Sequence, residues 1–409
     1  MTNFLDLVAS PVLRRNLAAA NFTTPTPIQA QSIPAALAGR DVVATAQTGT
    51  GKTLAFSLPI IETLTRGPLV SKPQALVLTP TRELAIQIYE AFSAVAKGAN
   101  IHAVPVVGGV GENPQLQAIR RGAQVIIATP GRLVDFLKRK LVSLDTIKIV
   151  VLDEADRMLD MGFLPDVERI IRATPANRQT LFFSATFDST ASSLVERHMK
   201  NPERVAIGST TKPADTIDMH VYQVEHDRKL SLLQHLLRTQ QGSSLVFART
   251  KHGADKLAKK LNTAGFKSTA IHGNRSQNQR NAALKGFQDG YYRVLVATDV
   301  ASRGIHVDDI AHVVNYDLPQ APEDFIHRVG RTGRAGAAGV ASTFATGAEA
   351  KEVRAIERVL KMSLKRRELP EGLGREERSA AAPVIVMPTR GAKPAFSYKP
   401  RRRRFGSSR

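Results

Sequence analysis

The sequence predicts an α/β fold with parallel sheets, arranged as two tandem domains followed by a basic C-terminal tail. Short apolar runs alternate with helical-looking segments along all but the end of its 409 residues, as expected where strands are covered on both faces by crossover helices. A Gly/Thr-rich loop ending in Gly51-Lys52-Thr53 directly follows one of these runs and opens a helix. The halves also echo each other. Val125-Ile126-Ile127-Ala128-Thr129 follows Leu76-Val77-Leu78-Thr79 at the same interval by which Val294-Leu295-Val296-Ala297-Thr298 follows Leu245-Val246-Phe247-Ala248. That repetition suggests two domains of similar topology.

In chain order, the first strand is Val42-Val43-Ala44, and residues 54–64 read as the helix behind the loop. Ala75-Leu76-Val77-Leu78, Val125-Ile126-Ile127-Ala128, Ile149-Val150-Val151-Leu152 and Leu181-Phe182-Phe183 continue the first sheet. Gly208 to Asp215 is polar, carries both Gly and Pro, and reads as a linker. Leu245-Val246-Phe247, Val294-Leu295-Val296-Ala297 and His312-Val313-Val314 belong to the second sheet. From about Lys365 the pattern dissolves. The expected division is a nucleotide-binding domain over 1–208, a linker over 209–216, a second domain over 217–365 and a disordered tail over 366–409.

Ala46-Gln47-Thr48-Gly49-Thr50-Gly51-Lys52-Thr53 has the features of a phosphate cradle. Small residues let backbone N–H groups turn inward at Thr48, Gly49, Thr50 and Gly51, and the helix N-terminus adds a positive dipole. Lys52 reaches the β/γ-phosphates, and Thr53 is placed to ligate Mg²⁺. Asp153-Glu154-Ala155-Asp156 ends a buried-strand run, which sets Asp153 to hold the metal and Glu154 to orient an attacking water. Together they point to hydrolysis of a nucleoside triphosphate. Gly273-Asn274-Arg275 in the second half lacks a Gly-Lys-Thr ending, so one nucleotide serves both domains and belongs in the cleft between them.

Composition narrows the setting. There is no cysteine, which excludes a disulfide framework and thiolate metal sites and suits a reducing, cytoplasmic location. The N-terminus shows no secretory signal and no apolar stretch is of membrane-spanning length. Lys and Arg number 57 against 36 Asp and Glu, a net charge of +21. Residues 361–409 alone carry 14 Lys/Arg against 4 Asp/Glu. Such a body and tail point to polyanions, nucleic acid first. Arg401 to Arg404, with Phe396, Tyr398 and Phe405 close by, suit an arm that contacts phosphates and stacks on bases.

Read as an ordered series, the motifs resemble the DEAD-box RNA helicases over nearly all of residues 4–335. The resemblance implies two RecA-like domains that use ATP and Mg²⁺ and grip RNA without reading its sequence. Phe22-Thr23-Thr24-Pro25-Thr26-Pro27-Ile28-Gln29 is similar to the family's Q motif, with Gln29 reading the adenine edge and Phe4 upstream stacking on the base. Pro80, Thr81 and Arg82, then Gly108 and Gly109, then Thr129, Pro130, Gly131 and Arg132 resemble the elements that hold the RNA backbone from the first domain. Ser184 and Thr186 match the element linking hydrolysis to strand separation. Arg280 of Gln277-x-x-Arg and Thr298 match RNA contacts of the second domain, and Gly304 a nucleotide contact. His327 belongs to the coupling motif that supplies Arg331 and Arg334 as arginine fingers. Where the family has Asp after Arg303-Gly304-Ile305, this chain has His306, which leaves the ribose contact open.

The resemblance implies an RNA-stimulated ATPase that opens short duplexes or remodels RNA–protein complexes, acting as a monomer. An ATP-gated RNA clamp or scaffold with little unwinding remains the alternative. The short N-terminal lead, Thr250-Lys251-His252-Gly253-Ala254 and the basic tail resemble the bacterial RhlE-type subgroup, which implies ribosomal or RNA-degradation proteins as partners.

Overall fold

The computed structural model describes residues 3–46, 49–67, 70–207, 216–299, 310–333 and 338–375. Thr48, Gly304, His306, Arg334, the linker residues 208–215 and the tail from 376 onward lie outside these residues.

Each half folds around a seven-stranded sheet in which every pairing is parallel. The first contains β1 (Val42–Thr45), β2 (Ala75–Leu78), β3 (Ala103–Val106), β4 (Val125–Ala128), β5 (Ile149–Leu152), β6 (Gln179–Ser184) and β7 (Glu203–Ala206). The second contains β8 (Ile217–Gln223), β9 (Ser243–Phe247), β10 (Ser268–Ile271), β11 (Val294–Ala297), β12 (Ile310–Asn315), β13 (Gly339–Ala345) and β14 (Lys365–Arg367). Their spatial orders, β3-β4-β2-β5-β6-β1-β7 and β10-β11-β9-β12-β13-β8-β14, correspond strand for strand. The repeated interval in the sequence is that correspondence: β2 pairs with β4 through Val77↔Ile127, and β9 with β11 through Val246↔Val296.

Alternation along each strand divides a domain's core into two layers. In the first sheet Val42, Ala44, Ala75 and Val77 face one layer, with Phe56, Ile60 and Phe92 from helices Lys52–Arg66 and Arg82–Val95. Val43, Leu76 and Leu78 face the other, with Leu133 and Phe136 of Pro130–Lys138. Burial of each large apolar side chain contributes about 1.5–3 kcal/mol, enough to fix the register that brings the carboxyl ends of β5, β6 and β1 side by side.

The second sheet also carries a polar bolt. Ser342 Oγ on β13 lies 2.8 Å from His220 Nε2 on β8 and 2.8 Å from His312 Nε2 on β12. All three residues are buried. Burial lowers both imidazole pKa values, to about 4 for His220 and about 3 for His312.

One boundary needs correction. The folded part does not stop at 365, because β14 adds to β8 at the sheet edge through Arg366↔Val221. Lys-Arg-Arg carries no apolar signal, yet an edge strand tolerates exposed cations. Lys365 Nζ and Arg367 Nη2 bind Asp218 at 3.0 and 2.6 Å. Leu369 and Leu373 then pack against the second domain's core.

Candidate functional site

The loop after β1 has the backbone a phosphate cradle requires. Gly49 and Gly51 sit at φ 88° and 89°, in the region open to glycine at little cost. Lys52 is buried, and its Nζ donates to the Ala46 carbonyl at 3.0 Å. Ala46, which stands where glycine is usual, therefore keeps a role through its backbone. Thr53 follows in the first turn of the helix Lys52–Arg66.

The Q-motif residues hold this loop from outside. Gln29 is buried; its Nε2 donates to the Gly51 carbonyl at 2.9 Å and its Oε1 accepts from Thr26 N at 2.8 Å. Thr26 Oγ1 donates to the Thr50 carbonyl at 2.7 Å. A Cβ at Gly51 would overlap Gln29 Nε2, so glycine is required there for space as well as conformation. The Gln29 amide keeps one N–H and one lone pair beyond these bonds for a base. Phe4 departs from expectation. Its ring is 1% exposed and packs edge-to-face on Phe22 at 6.2 Å, whereas Phe22 is 40% exposed. The ring open to a base is that of Phe22, because the short helix Phe4–Leu7 turns Phe4 into the core.

The acidic segment follows β5. Asp153 is buried, and its Oδ1 has no hydrogen-bond partner. Burial raises its pKa to about 7, against the pull of Lys52 and with a further push from Glu154 and Asp156. Glu154 sits at φ 51°, a left-handed conformation that costs a non-glycine residue about 1 kcal/mol or more. Its Oε2 is held at 2.7 Å by Arg157 Nη1 in a buried pair. Asp156 Oδ2 accepts from Ala185 N at 3.0 Å, Thr186 N at 2.8 Å and Thr186 Oγ1 at 2.9 Å. Ser184 Oγ accepts from Asp156 N at 3.3 Å and donates to the Thr186 carbonyl at 2.6 Å. Ser184 and Thr186 are thus bolted to the acidic segment, through Asp156.

From the second domain, His327 is half-buried beside this segment. Burial holds it below the usual histidine pKa, with Asp156 and Glu154 raising it and Arg157 lowering it. Arg331, one turn further on, is 1% exposed and donates from Nε to the His327 carbonyl at 3.3 Å. Arg328 anchors the helix Asp324–Val329 that carries His327. It pairs with Asp299 through Nε at 2.5 Å and Nη2 at 2.7 Å, and Nη1 donates to Asn315 Oδ1 and the Asp317 carbonyl.

A separate cleft of about 590 Å³ opens between the domains. Pro80, Thr81, Arg82, Gly108, Thr129, Gly131 and Arg132 line one side, and Gly273, Arg275 and Arg280 the other. The Arg82 guanidinium lies on the Gly108-Gly109 backbone so closely that a Cβ at Gly109 would overlap it. Burial lowers the Arg82 pKa, Glu83 opposes this, and Arg280 and Arg132 lower it further; three guanidinium groups therefore share one field. Arg132 Nη1 and Arg280 Nε are buried donors without a protein acceptor, as suits a site for phosphate oxygens. Pro130 begins the helix Pro130–Lys138, and Thr129, its N-cap, makes no capping bond with its side chain. Thr298 is buried and is not among the walls of this cleft.

Several residues with structural work here were not singled out from sequence. Glu83 clasps the domains together, accepting from Gln277 Nε2 at 2.8 Å and pairing with Arg280 Nη2 at 3.0 Å. Asp156, Arg157 and Arg328 likewise act through side-chain contacts. Their motif neighbours marked the segments, but no local signal assigned the partners.

Comparison with known proteins agrees with this geometry. The DEAD/DEAH box helicase family model matches residues 26–194, and the helicase conserved C-terminal domain matches residues 228–336. The DEAD-box ATP-dependent RNA helicase CshA of Bacillus licheniformis is 42% identical over 90% of this chain and 75% of its own. CshA of Geobacillus kaustophilus is 41% identical over 94% and 83%. Saccharomyces cerevisiae Dbp5 bound to RNA and ADP BeF3 superposes with TM-score 0.81 at 34% identity, over 90% of this chain and 96% of that one. Mss116p bound to ssRNA and AMP-PNP gives 0.83 at 28% identity, over 90% and 80%.

Proposed function

Because the chain belongs to the DEAD-box ATP-dependent RNA helicases, we propose that it hydrolyses ATP at a site shared by both domains and uses the resulting opening and closing to separate short RNA duplexes. The observation that carries this reading is that His327 of the second domain lies within the electrostatic field of Asp156, Glu154 and Arg157 of the first, with buried Arg331 bonded to the His327 carbonyl. A hydrolytic site contained in one domain would need neither.

In this mechanism Gly49, Thr50, Gly51 and Lys52 cradle the triphosphate, while Gln29 and Phe22 take the base. Thr53 and Asp153 would hold Mg²⁺; the partnerless Asp153 oxygen and the upward shift of its carboxyl group suit a cation there. The metal, when bound, neutralises phosphate charge. Glu154 orients the attacking water, with Arg157 fixing its carboxylate. Arg331 and Arg334 stabilise charge on the transferred phosphoryl group; a planar guanidinium suits that task. RNA phosphates occupy the cleft between Arg82, Arg132 and Arg280, which favours closure and completes the ATP site. The Asp156–Thr186 contact carries the state of the ATP site towards that cleft, and phosphate release reopens it. Contacts aimed at phosphates carry no sequence information, so the RNA is chosen by shape and availability.

The clamp reading shares every contact and differs only in whether closure separates strands. The RhlE-type likeness rests on the short lead, Thr250–Ala254 and the tail, whereas relatives that match 90% or more of the chain include CshA helicases. A cytoplasmic setting, with ribosomal or RNA-degradation proteins as partners, is proposed on the RhlE-type likeness. The test is ATP turnover with and without RNA in the wild type and Glu154→Gln. RNA-stimulated turnover that falls at least 10²-fold in the variant, with ATP binding retained, is the expected result. Turnover independent of RNA and untouched by the substitution would sink the proposal.

A further inference from the structure

The helix Ala350–Leu360 of the second domain turns a row of like charges outward. Its inner face is apolar, with Val353, Ile356 and Leu360 in the domain's core. Outward stand Lys351, Arg354, Arg358 and, just past the helix end, Lys361, all exposed. Steps of three and four residues keep them on one side over about 15 Å. Each cation in the row repels the next, at a cost of about 0.2–0.5 kcal/mol per pair, and Lys351 in the first turn also meets the positive end of the helix dipole. Four other helices set unlike charges four residues apart, in Glu62–Arg66, Asp135–Arg139, Glu168–Arg172 and Lys285–Asp289. A row that costs its own helix stability suits an anion supplied from outside.

The four cations line a groove of about 640 Å³. Its one acid, Glu357, is already engaged: Oε1 pairs with Arg366 Nη1 at 3.0 Å and accepts from Leu364 N at 2.9 Å. Among the described residues no ion pair joins Lys351, Arg354, Arg358 or Lys361 to a carboxylate. Arg354 donates only from Nε, to the Ala350 carbonyl of its own helix at 3.3 Å. The groove also stands apart from the interdomain cleft. Gly273 and Arg275, which line that cleft, follow β10, whereas this helix follows β13 and shares a core with Val221 of β8 and Ala341 of β13. Four strand steps separate β10 from β13, about 19 Å across the sheet. Every wall of the groove belongs to the second domain, so movement between the domains leaves its shape unchanged.

We infer that this row is a second RNA contact, one that binds backbone phosphates of RNA lying outside the cleft and keeps hold of them while the cleft is open. The inference rests on the RNA-binding reading of the cleft and adds an anchor that the ATP state does not gate. The contact is electrostatic and indifferent to base identity.

The test compares the full-length wild type with K351Q/R354Q/R358Q/K361Q, titrated with a labelled RNA hairpin that carries a single-stranded extension, with and without AMP-PNP and Mg²⁺. Each phosphate contact contributes about 0.7 to the slope of log K against log salt, so two or more of them correspond to a slope change of about 1.4 and about 25-fold in affinity at 0.1 M salt. The variant should lose at least that much, equally with and without nucleotide, and keep the wild-type kcat for ATP at saturating RNA. Its melting temperature should stay at or above that of the wild type, because the substitutions remove repulsion. R354K/R358K, which keeps the charges, should keep the slope. R238Q/K256Q/K259Q/K267Q removes four exposed cations of the same domain outside the groove and should bind as wild type. Equal RNA affinity and slope in the wild type and the first variant would overturn the inference, including in favour of an acidic protein as occupant. An equal loss in the control variant would overturn it as well, since general surface charge would then explain the effect. So would a loss seen only with AMP-PNP, which would place the contact in the closed cleft. If RNA fails to stimulate ATP turnover of the wild type, the helicase reading falls, and the groove is judged by the same affinities and slopes.

Discussion

Replacing Asp156 by Ala tests the joint between the acidic segment and Ser184-Ala185-Thr186. Its carboxylate takes four donors: Arg157 N at 2.9 Å through Oδ1, and Ala185 N, Thr186 N and Thr186 Oγ1 through Oδ2. Arg157 and Ala185 are buried, whereas Thr186 is half-exposed and can turn to water. Leaving a buried donor unsatisfied costs about 1–3 kcal/mol, so the two buried N–H groups set a loss of about 4 kcal/mol. For a domain of this size each kcal/mol moves Tm by about 2–4 °C, and the first domain should melt about 8–16 °C lower in Asp156→Ala. Asp156→Asn can keep its one carbonyl oxygen on the three Ala185 and Thr186 donors and orphan only Arg157 N. Its cost is then about 2 kcal/mol, or about 4–8 °C. Differential scanning calorimetry reads both. An Asp156→Ala protein melting within 2 °C of wild type would refute the reasoning, because the four bonds would then be contributing nothing net.

Two pH dependences follow from opposite shifts. The Asp153 pKa lies near 7 in the absence of ligand, so the metal must compete with a proton; apparent Mg-ATP affinity should rise about tenfold per pH unit up to pH 7 and level off above it, as measured by fluorescent-nucleotide titration. His220 and His312 have pKa values depressed to about 4 and about 3. The unfolded chain therefore binds more protons as pH falls below 6.5, and the second domain loses stability from there down to about pH 3. By pH 5 the loss should reach about 2 kcal/mol per histidine, at 1.36 kcal/mol per pH unit below the unfolded value. Urea titrations of the wild type and His312→Gln across this range check it, the variant showing about half the dependence.

The legible features were those written locally. Fully buried strands such as Ile149-Val150-Val151-Leu152 advertise themselves as apolar runs, and the phosphate loop needs glycines at Gly49 and Gly51 whatever lies around it. What stayed hidden was long-range or polar. The motif marks Gln29 for a base, but does not show that its amide also bonds the loop backbone at Gly51, 22 residues away. Asp156 meets Thr186 across 30 residues, and Glu83 meets Gln277 across 194; neither pairing leaves a periodicity. β14 leaves no apolar signal because an edge strand of Lys-Arg-Arg satisfies its backbone through β8 and needs no apolar face. Phe4 matches the motif's upstream aromatic in sequence, but packing in the first core decides its place.

On the proposed function, the hydrolytic site is incomplete until the second domain brings Arg331 to it. RNA-stimulated ATP turnover of Arg331→Lys, compared with wild type, tests this most directly, because lysine keeps the charge and loses the planar fork. The expected result is a fall in kcat of about 10³-fold or more, with ATP affinity in the absence of RNA changed by no more than a few-fold. Turnover equal to wild type, stimulated by RNA to the same extent, would contradict it.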